Sequence, residues 1–514
     1  SWPKPSSSIW ANELPMKPTA VRLYDFTGGL NTKSPPMVLK MNEASDLQNI
    51  NLLPTGGFQK RNGNSVFNSS AMDSGSSVHG LGYYRTSLTS DYMMAIAGTK
   101  LFKSTNLSGT MDDITGAVTI TTGQDNIWTH CQMNNLSIFI GGAPNAPIKW
   151  NGTGNAAVLG GTPPNGEFGI VANSRLFIGN TASNPSRIQW CILGNPEDWT
   201  GTGSGSQDVG LNDGDTLVGA SVIGFDSMLL FKQNSIHTLA IRSAPFPLFP
   251  LFTGVGAVSK RAIVNVDGTV YFITPEPRMK ATDGTNIITF SDSIDDVWDS
   301  LNKSRLKYIH GVHNRRLRQI WWFVSSSSAT THNLCIIWDL ERKCWLRHTT
   351  GHAMNVSSFT ADRIIYCGAY DGKIYKMDDS STTNDSSESS PTINSFWNSG
   401  WMDFLNTLEA KTPQYADLVF NGGNDLNFKF SYGFDFNSDR INESLTYNSG
   451  SIWGTGLWDS MTWGGASSTA RFVQMKGSGK FFQYRIAHNT SGQNFIFNGI
   501  EFGINKNEVR SIRV

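Results

Sequence analysis

Charge is scarce in this chain of 514 residues. Asp, Glu, Lys and Arg make up only 16%, and the 41 basic residues are matched by 41 acidic ones. A net charge of zero excludes a surface that grips nucleic acid everywhere, while leaving room for a local basic rim. Cysteine is scarcer still. The five present contain no C-x-x-C pair, so there is neither a disulfide framework nor a zinc spacing. If Leu340 to Lys343 form a hairpin loop, Asp339 faces Cys344 and Trp338 faces Trp345. Cys335 then lies about four residues, roughly 13 Å, from Cys344 along the ladder, too far for a disulfide. Free thiols fit assembly in a reducing cytoplasm. No apolar run reaches membrane-spanning length. The nearest, 244 to 258, holds Pro245, Pro247 and Pro250, which forbid a regular helix. Ser1-Trp2-Pro3-Lys4-Pro5 lacks the apolar core of a signal peptide. GxSxG, HExxH, Walker and EF-hand patterns are missing, so no catalytic, metal or cofactor site is expected. Helical period is confined to Ser293–Asn302 and a short piece at Asn42–Asn49.

What the chain has is glycine, 51 residues of it, and short β-branched or aromatic runs. Such runs begin at Met93, Leu136, Leu176, Met228, Val270, Ile320 and Ile364, at spacings of 40 to 52 residues. That is the length of a four-stranded propeller blade. A second strand follows most of them after a polar turn, as at Lys100–Lys103, Ile148–Trp150 and Leu334–Trp338. Asp-Gly pairs at 213, 267, 283 and 371 supply the positive φ that tight hairpins need. The expected fold is all-β: a six- or seven-bladed β-propeller with irregular units, followed by a C-terminal β-sandwich. The boundaries expected are an arm at 1–24, a propeller at 25–379, a Ser/Thr-rich linker at 380–395 and the sandwich at 396–514. Within the propeller, residues 25–67 form a leading segment of extended chain broken by Gly28-Gly29, Pro35-Pro36 and Gly56-Gly57. Either it lies against both the first and the last blade, leaving the ring no open edge, or it is an ordinary N-terminal strand and loop, since Gly and Pro mark turns in any β protein.

Four stretches together carry a family resemblance. They are FTGGLNTKSPPMVLKMNEASDLQNINLLPTGGFQKRNG from Phe26, GVGAVSKRAIVNVDGTVYFITPEPRMKATDG from Gly254 and VHNRRLRQIWWFVSSSSATTHNLCIIWDLERKCW from Val312. The fourth is the C-terminal run with DFLNTLEAKTPQYADLVF, FKFSYGFDF, a Trp-Gly hairpin and FFQYRIAHNTSGQNFIFNGIEFGI. In this order, over most of residues 25 to 505, they resemble the tail nozzle proteins of short-tailed bacteriophages, also called packaged-DNA stabilization or tail tubular proteins. Pro275-Glu276-Pro277-Arg278 departs from the family, where a Gly-containing turn is expected. The resemblance implies a virion protein assembled in the host cytoplasm, a homohexamer below the portal and head–tail adaptor. Its lumen would continue the DNA channel, touch double-stranded DNA without reading it, retain the genome and let it pass on ejection. Its lower rim would meet a needle, spike or fibre.

Three groups of residues are candidates for that work, each with a plainer alternative. Lys303, Arg305, Lys307, Arg315, Arg316 and Arg318 form the densest basic stretch; they line a channel and touch phosphates, or they are a solvated hairpin tip. Pro245, Phe246, Leu248, Phe249, Leu251 and Phe252 form a Pro-stiffened apolar loop, a gate or oligomer contact if exposed and simple packing if buried. Trp453, Trp458 and Trp463 lie in a Gly-spaced hairpin that makes a rim contact, packs in the sandwich or stacks on sugar. A carbohydrate- or receptor-binding propeller is therefore the alternative function. A propeller glycosidase is the more distant one. It would need facing carboxylates, and the adjacent pairs Asp112-Asp113, Asp295-Asp296 and Asp378-Asp379 suit turns and helix starts instead.

Overall fold

The computed structural model describes residues 18–86, 90–211, 213–243, 245–386, 392–404, 409–422, 426–447 and 469–507. Among the described residues the alternating apolar runs fold into seven four-stranded sheets. Their first strands are Val78–Arg85, Thr129–Met133, Gly166–Ala172, Leu217–Ile223, Val264–Val266, His310–Asn314 and Met354–Phe359. Each of these packs against the first strand of the following sheet, and Met354–Phe359 returns to Val78–Arg85. This closed ring of antiparallel meanders is a β-propeller. The second strands are among the most buried, as in Gln319–Val324, where every residue is buried. Asp267 and Gly268, both at positive φ, make the two-residue turn between Val264–Val266 and Thr269–Ile273. The hairpin after Asp339 has the expected register: Trp338 opposite Trp345 and Asp339 opposite Cys344. All five cysteines are free.

The seventh sheet is completed from the other end of the chain. Its outer strand is Gly63–Val66, which pairs antiparallel with Ile374–Asp379. The leading segment thus supplies a closing strand, and the ring keeps no seam between first and last sheets.

The rest of that segment goes elsewhere. Among the described residues two six-stranded sheets pack face to face beside the ring. One holds Thr469–Gln474, Ala410–Gly422 and Phe495–Asn507, and beside them Phe58–Lys60, Ile50–Leu52 and Thr19–Leu23. The other holds Ser395–Ser399, Phe482–His488, Leu426–Phe434 and Ile441–Tyr447 with Glu43–Gln48 and Gly29–Leu30. Phe26 and Phe58 explain the arrangement. Both are fully buried, and they meet Trp397 at centroid distances of 5.3 and 5.6 Å, with Phe497 at 5.4 and 5.0 Å. The sandwich takes strands from early and late in the chain, where the sequence places residues 25–60 with the propeller and 19–23, here a strand paired with Phe495–Asn507, in an arm.

Three local expectations are corrected. Asn42–Asn49 is not helical. Glu43–Gln48 is a strand whose register shifts between Ala44 and Asp46. That bulge turns Ala44 and Leu47, three apart, to the same buried side, which mimics a helical period. The helix at 293–302 shrinks to Asp295–Asp299, preceded by a 3-10 turn at Asp292–Ile294. The polar run at 380–395 is not a free linker at its start. Asp385 is buried and ion-paired to Arg61, and the Thr382 carbonyl accepts from the Gly63 amide.

Candidate functional site

The propeller axis holds the most developed site. Residues 259–262, between the fourth and fifth sheets, cross it and form a floor. Lys260 reaches Glu167, with Nζ 3.0 Å from Oε2, and points at the Ile127 carbonyl at 3.4 Å. Arg261 extends the other way, and its two amino groups donate to the carbonyls of Asn355 and Tyr308, each at 2.6 Å. The Arg261 carbonyl accepts from Gly311, and Ser259 Oγ donates to the Ile309 carbonyl at 2.6 Å. These bonds tie the segment to the first strands around it. A cavity of about 490 Å³ lies above this floor. Among its walls are Leu81, Tyr83, His130, His313, Ser357 and Phe359.

His310 illustrates the chemistry of these walls. Its Nε2 faces the Met354 carbonyl at 3.1 Å, which can only accept, so Nε2 carries the proton. Nδ1 then accepts from Ser357 Oγ at 2.9 Å. Burial and the Arg261 charge push His310 well below the usual histidine range, and burial brings His130 to about 4. Both imidazoles are neutral at pH 7. Burial also lowers Arg261, to about 10, and it remains a cation. Lys260, Arg261 and His130 were not singled out in sequence, and His310 and His313 stand out there only as histidines near Arg315, Arg316 and Arg318, which argues against a cation site. The available signal was the adjacent Lys260-Arg261 pair among Val258, Ala262 and Ile263, in a stretch too short for another strand.

The basic stretch does not form one surface. Lys303, Arg305 and Lys307 lie on a 3-10 turn, Lys303–Tyr308, before the strand His310–Asn314. Arg315, Arg316 and Arg318 lie in the hairpin after it. Five strand residues, roughly 17 Å, separate the two groups. Arg305 is buried, 2.8 Å from Asp125 and 4.2 Å over the Tyr308 ring. Arg316 pairs with Asp378, and Arg318 with Glu341 at 2.9 Å. Among the described residues Lys303, Lys307 and Arg315 form no ion pair; Lys307 and Arg315 lie over the rings of Tyr308 and Phe359.

The apolar segment is mostly strand rather than loop. Leu248–Thr253 is the outer strand of the fourth sheet. An outer edge tolerates Pro250, which has no N–H to donate, and the register shifts beside it. Phe246 is buried against Trp190 at 4.9 Å and Phe177 at 5.9 Å, on the neighbouring third sheet. Pro245 and Phe249 face outward, Phe249 with 57% of its surface exposed, while Leu248, Leu251 and Phe252 are half-buried. Trp453, Trp458 and Trp463 lie outside the described residues.

The paired carboxylates sit in three separate places. Asp112 and Asp113 bridge to Lys103 and Lys100 on the first sheet. Asp295 and Asp296 start the short helix, where Asp295 pairs with Lys33 and Arg278 and Asp296 accepts from Thr32. Asp379 accepts from Ser65 at 2.5 Å and is held near a pKa of about 2, while burial raises that of Asp378. At Pro275–Arg278 the turn closes without glycine: the Thr274 and Arg278 backbones bond at 3.1 Å, and the Thr274 hydroxyl caps the loop carbonyls.

No protein-family model and no curated protein matches the sequence. Solved structures that align include the β-propeller domain of Cps50 (Swd1) from Myceliophteria thermophila, at 9% identity and a TM-score of 0.42 over 62% of this chain and all of that one. YCF48 bound to D1 peptide aligns at 8% identity and a TM-score of 0.40, over 64% of this chain and 97% of that one. The WD40 domain of Neurospora crassa Pan2 aligns at 7% and 0.38, over 65% and 99%. The propeller assignment rests on strand order and ring closure, to which likenesses this remote add nothing.

Proposed function

We propose that the chain is a structural subunit of a bacteriophage tail nozzle. Six copies form a ring below the portal and adaptor, continue the DNA channel, retain the packaged genome and let it pass on ejection. The observation that carries this reading is the ordered resemblance of four stretches spread over residues 25 to 505. The architecture is compatible with the role. A closed ring whose last sheet is completed from the other chain end is stiff, and its turns are free to contact neighbours. Each protomer's own axis is floored by Lys260 and Arg261. DNA in this reading runs between copies, not through a propeller. Balanced charge suits a lumen from which DNA must leave.

The test is genetic and physical. Particles assembled without this chain package DNA and then lose it, read as nuclease-accessible genome after filling. Particles that lack the chain yet keep a protected genome overturn the proposal. Glycan binding that disappears on Trp458→Ala would favour the receptor-binding reading instead.

A further inference from the structure

The axial cavity has a chemistry that packing alone does not account for. Two cations and three histidines line it, with no Asp or Glu among the lining residues. Lys260 is compensated by Glu167. Arg261 has no carboxylate partner among the described residues: its partners are two carbonyl oxygens, which satisfy two of a guanidinium's five N–H donors. Arg261 is half-buried, and a partly desolvated cation is normally retained where a counter-charge meets it. His313 on the same wall has no described hydrogen-bond partner, and Ser357 already orients its hydroxyl toward His310. Apolar surface from Leu81, Val312 and Phe359 faces the same space. The volume of about 490 Å³ falls within the range of small-ligand pockets.

We propose that this cavity binds a small organic oxyanion, a phosphate ester or a carboxylate. The anionic group sits on Arg261, and the body of the ligand rests against the apolar wall. The proposal is independent of the nozzle reading, which its failure would leave untouched.

Isothermal titration of the full chain with inorganic phosphate, ribose 5-phosphate and gluconate tests it. Saturable binding of one molecule per chain by either organic probe, tighter than inorganic phosphate, is expected; the preferred probe distinguishes ester from carboxylate. Arg261→Gln weakens binding by at least about tenfold, the loss of one charge-assisted contact. Because Arg261 also braces the floor, Ser358→Trp provides a second variant that fills the cavity and leaves the floor intact; it abolishes binding. No saturable binding by the wild-type chain at 10 mM probe, on the order of the weakest useful ligand affinity, overturns the proposal. So does binding that Ser358→Trp leaves unchanged.

Discussion

Removing Asp385 should loosen the junction between ring and sandwich. The chain crosses between them twice. Residues 61–62 link Phe58–Lys60 of the sandwich to Gly63–Val66 of the ring, and the run after Asp379 leads back to Ser395–Ser399. Arg61 and Asp385 join the two crossings. Their side chains are 5% and 4% exposed and bond twice, Nη1 to Oδ1 at 2.8 Å and Nη2 to Oδ2 at 2.5 Å. Arg61 Nε donates to Asn49 at 3.0 Å, and Asp385 accepts from the Asn64 amide at 3.2 Å. Asp385→Leu strands a buried guanidinium, at a cost of about 3–5 kcal/mol. Replacing both partners, Arg61→Met with Asp385→Leu, removes both desolvated charges and should cost less than either single change. Urea unfolding followed by tryptophan fluorescence reads all four corners of the cycle. A loss below about 1 kcal/mol for Asp385→Leu, the size of an exposed pair, would refute the reasoning. A double variant no better than the worse single would refute it equally.

Two further perturbations bear on the same framework. A Cβ on Gly63 would stand 1.8 Å from the Asn384 carbonyl oxygen, a backbone atom with little room to move. Gly63→Ala should cost about 1–3 kcal/mol, the range for overpacking, and open the closing strand to faster amide exchange; unchanged protection would count against its place there. Burial, with nearby guanidinium charge, holds His332 and His348 neutral at about 3, against 6.5 in an unfolded chain. A folded pKa below the unfolded one means stability that is present above pH 6.5 and lost as pH falls toward 3. Between pH 6.5 and 5 each should give up about 2 kcal/mol. His352, raised by its hydrogen bond to Asp371, works in the opposite sense and offsets part of this. Urea midpoints that do not fall over that interval would contradict the burial of these imidazoles.

Much of the ring was legible because its signals are local. Strand runs at blade spacing, Asp-Gly turns and the Trp338–Trp345 register all follow from neighbouring residues. The path of the leading segment was legible only in part. That it closes the ring follows from the edge-strand argument. That Phe26 and Phe58 are core residues of a sandwich formed more than 300 residues later depends on contacts that no local pattern encodes. The bulge at Ser45 misleads for a related reason, since it converts a strand's alternation into an apparent helical one. The basic stretch read as one patch because its residues are close in sequence, yet a strand carries its two halves apart. The axial site was invisible for the converse reason: Lys260, His310 and Ser357 are brought together by ring closure.

The most direct test of the nozzle account is electron microscopy with class averaging of the full chain mixed with the portal and adaptor of its own particle. The account predicts a sixfold ring attached below the adaptor, with an open hole between copies and each propeller axis closed at Lys260 and Arg261. A chain that stays a monomer or trimer and never joins the complex would contradict it.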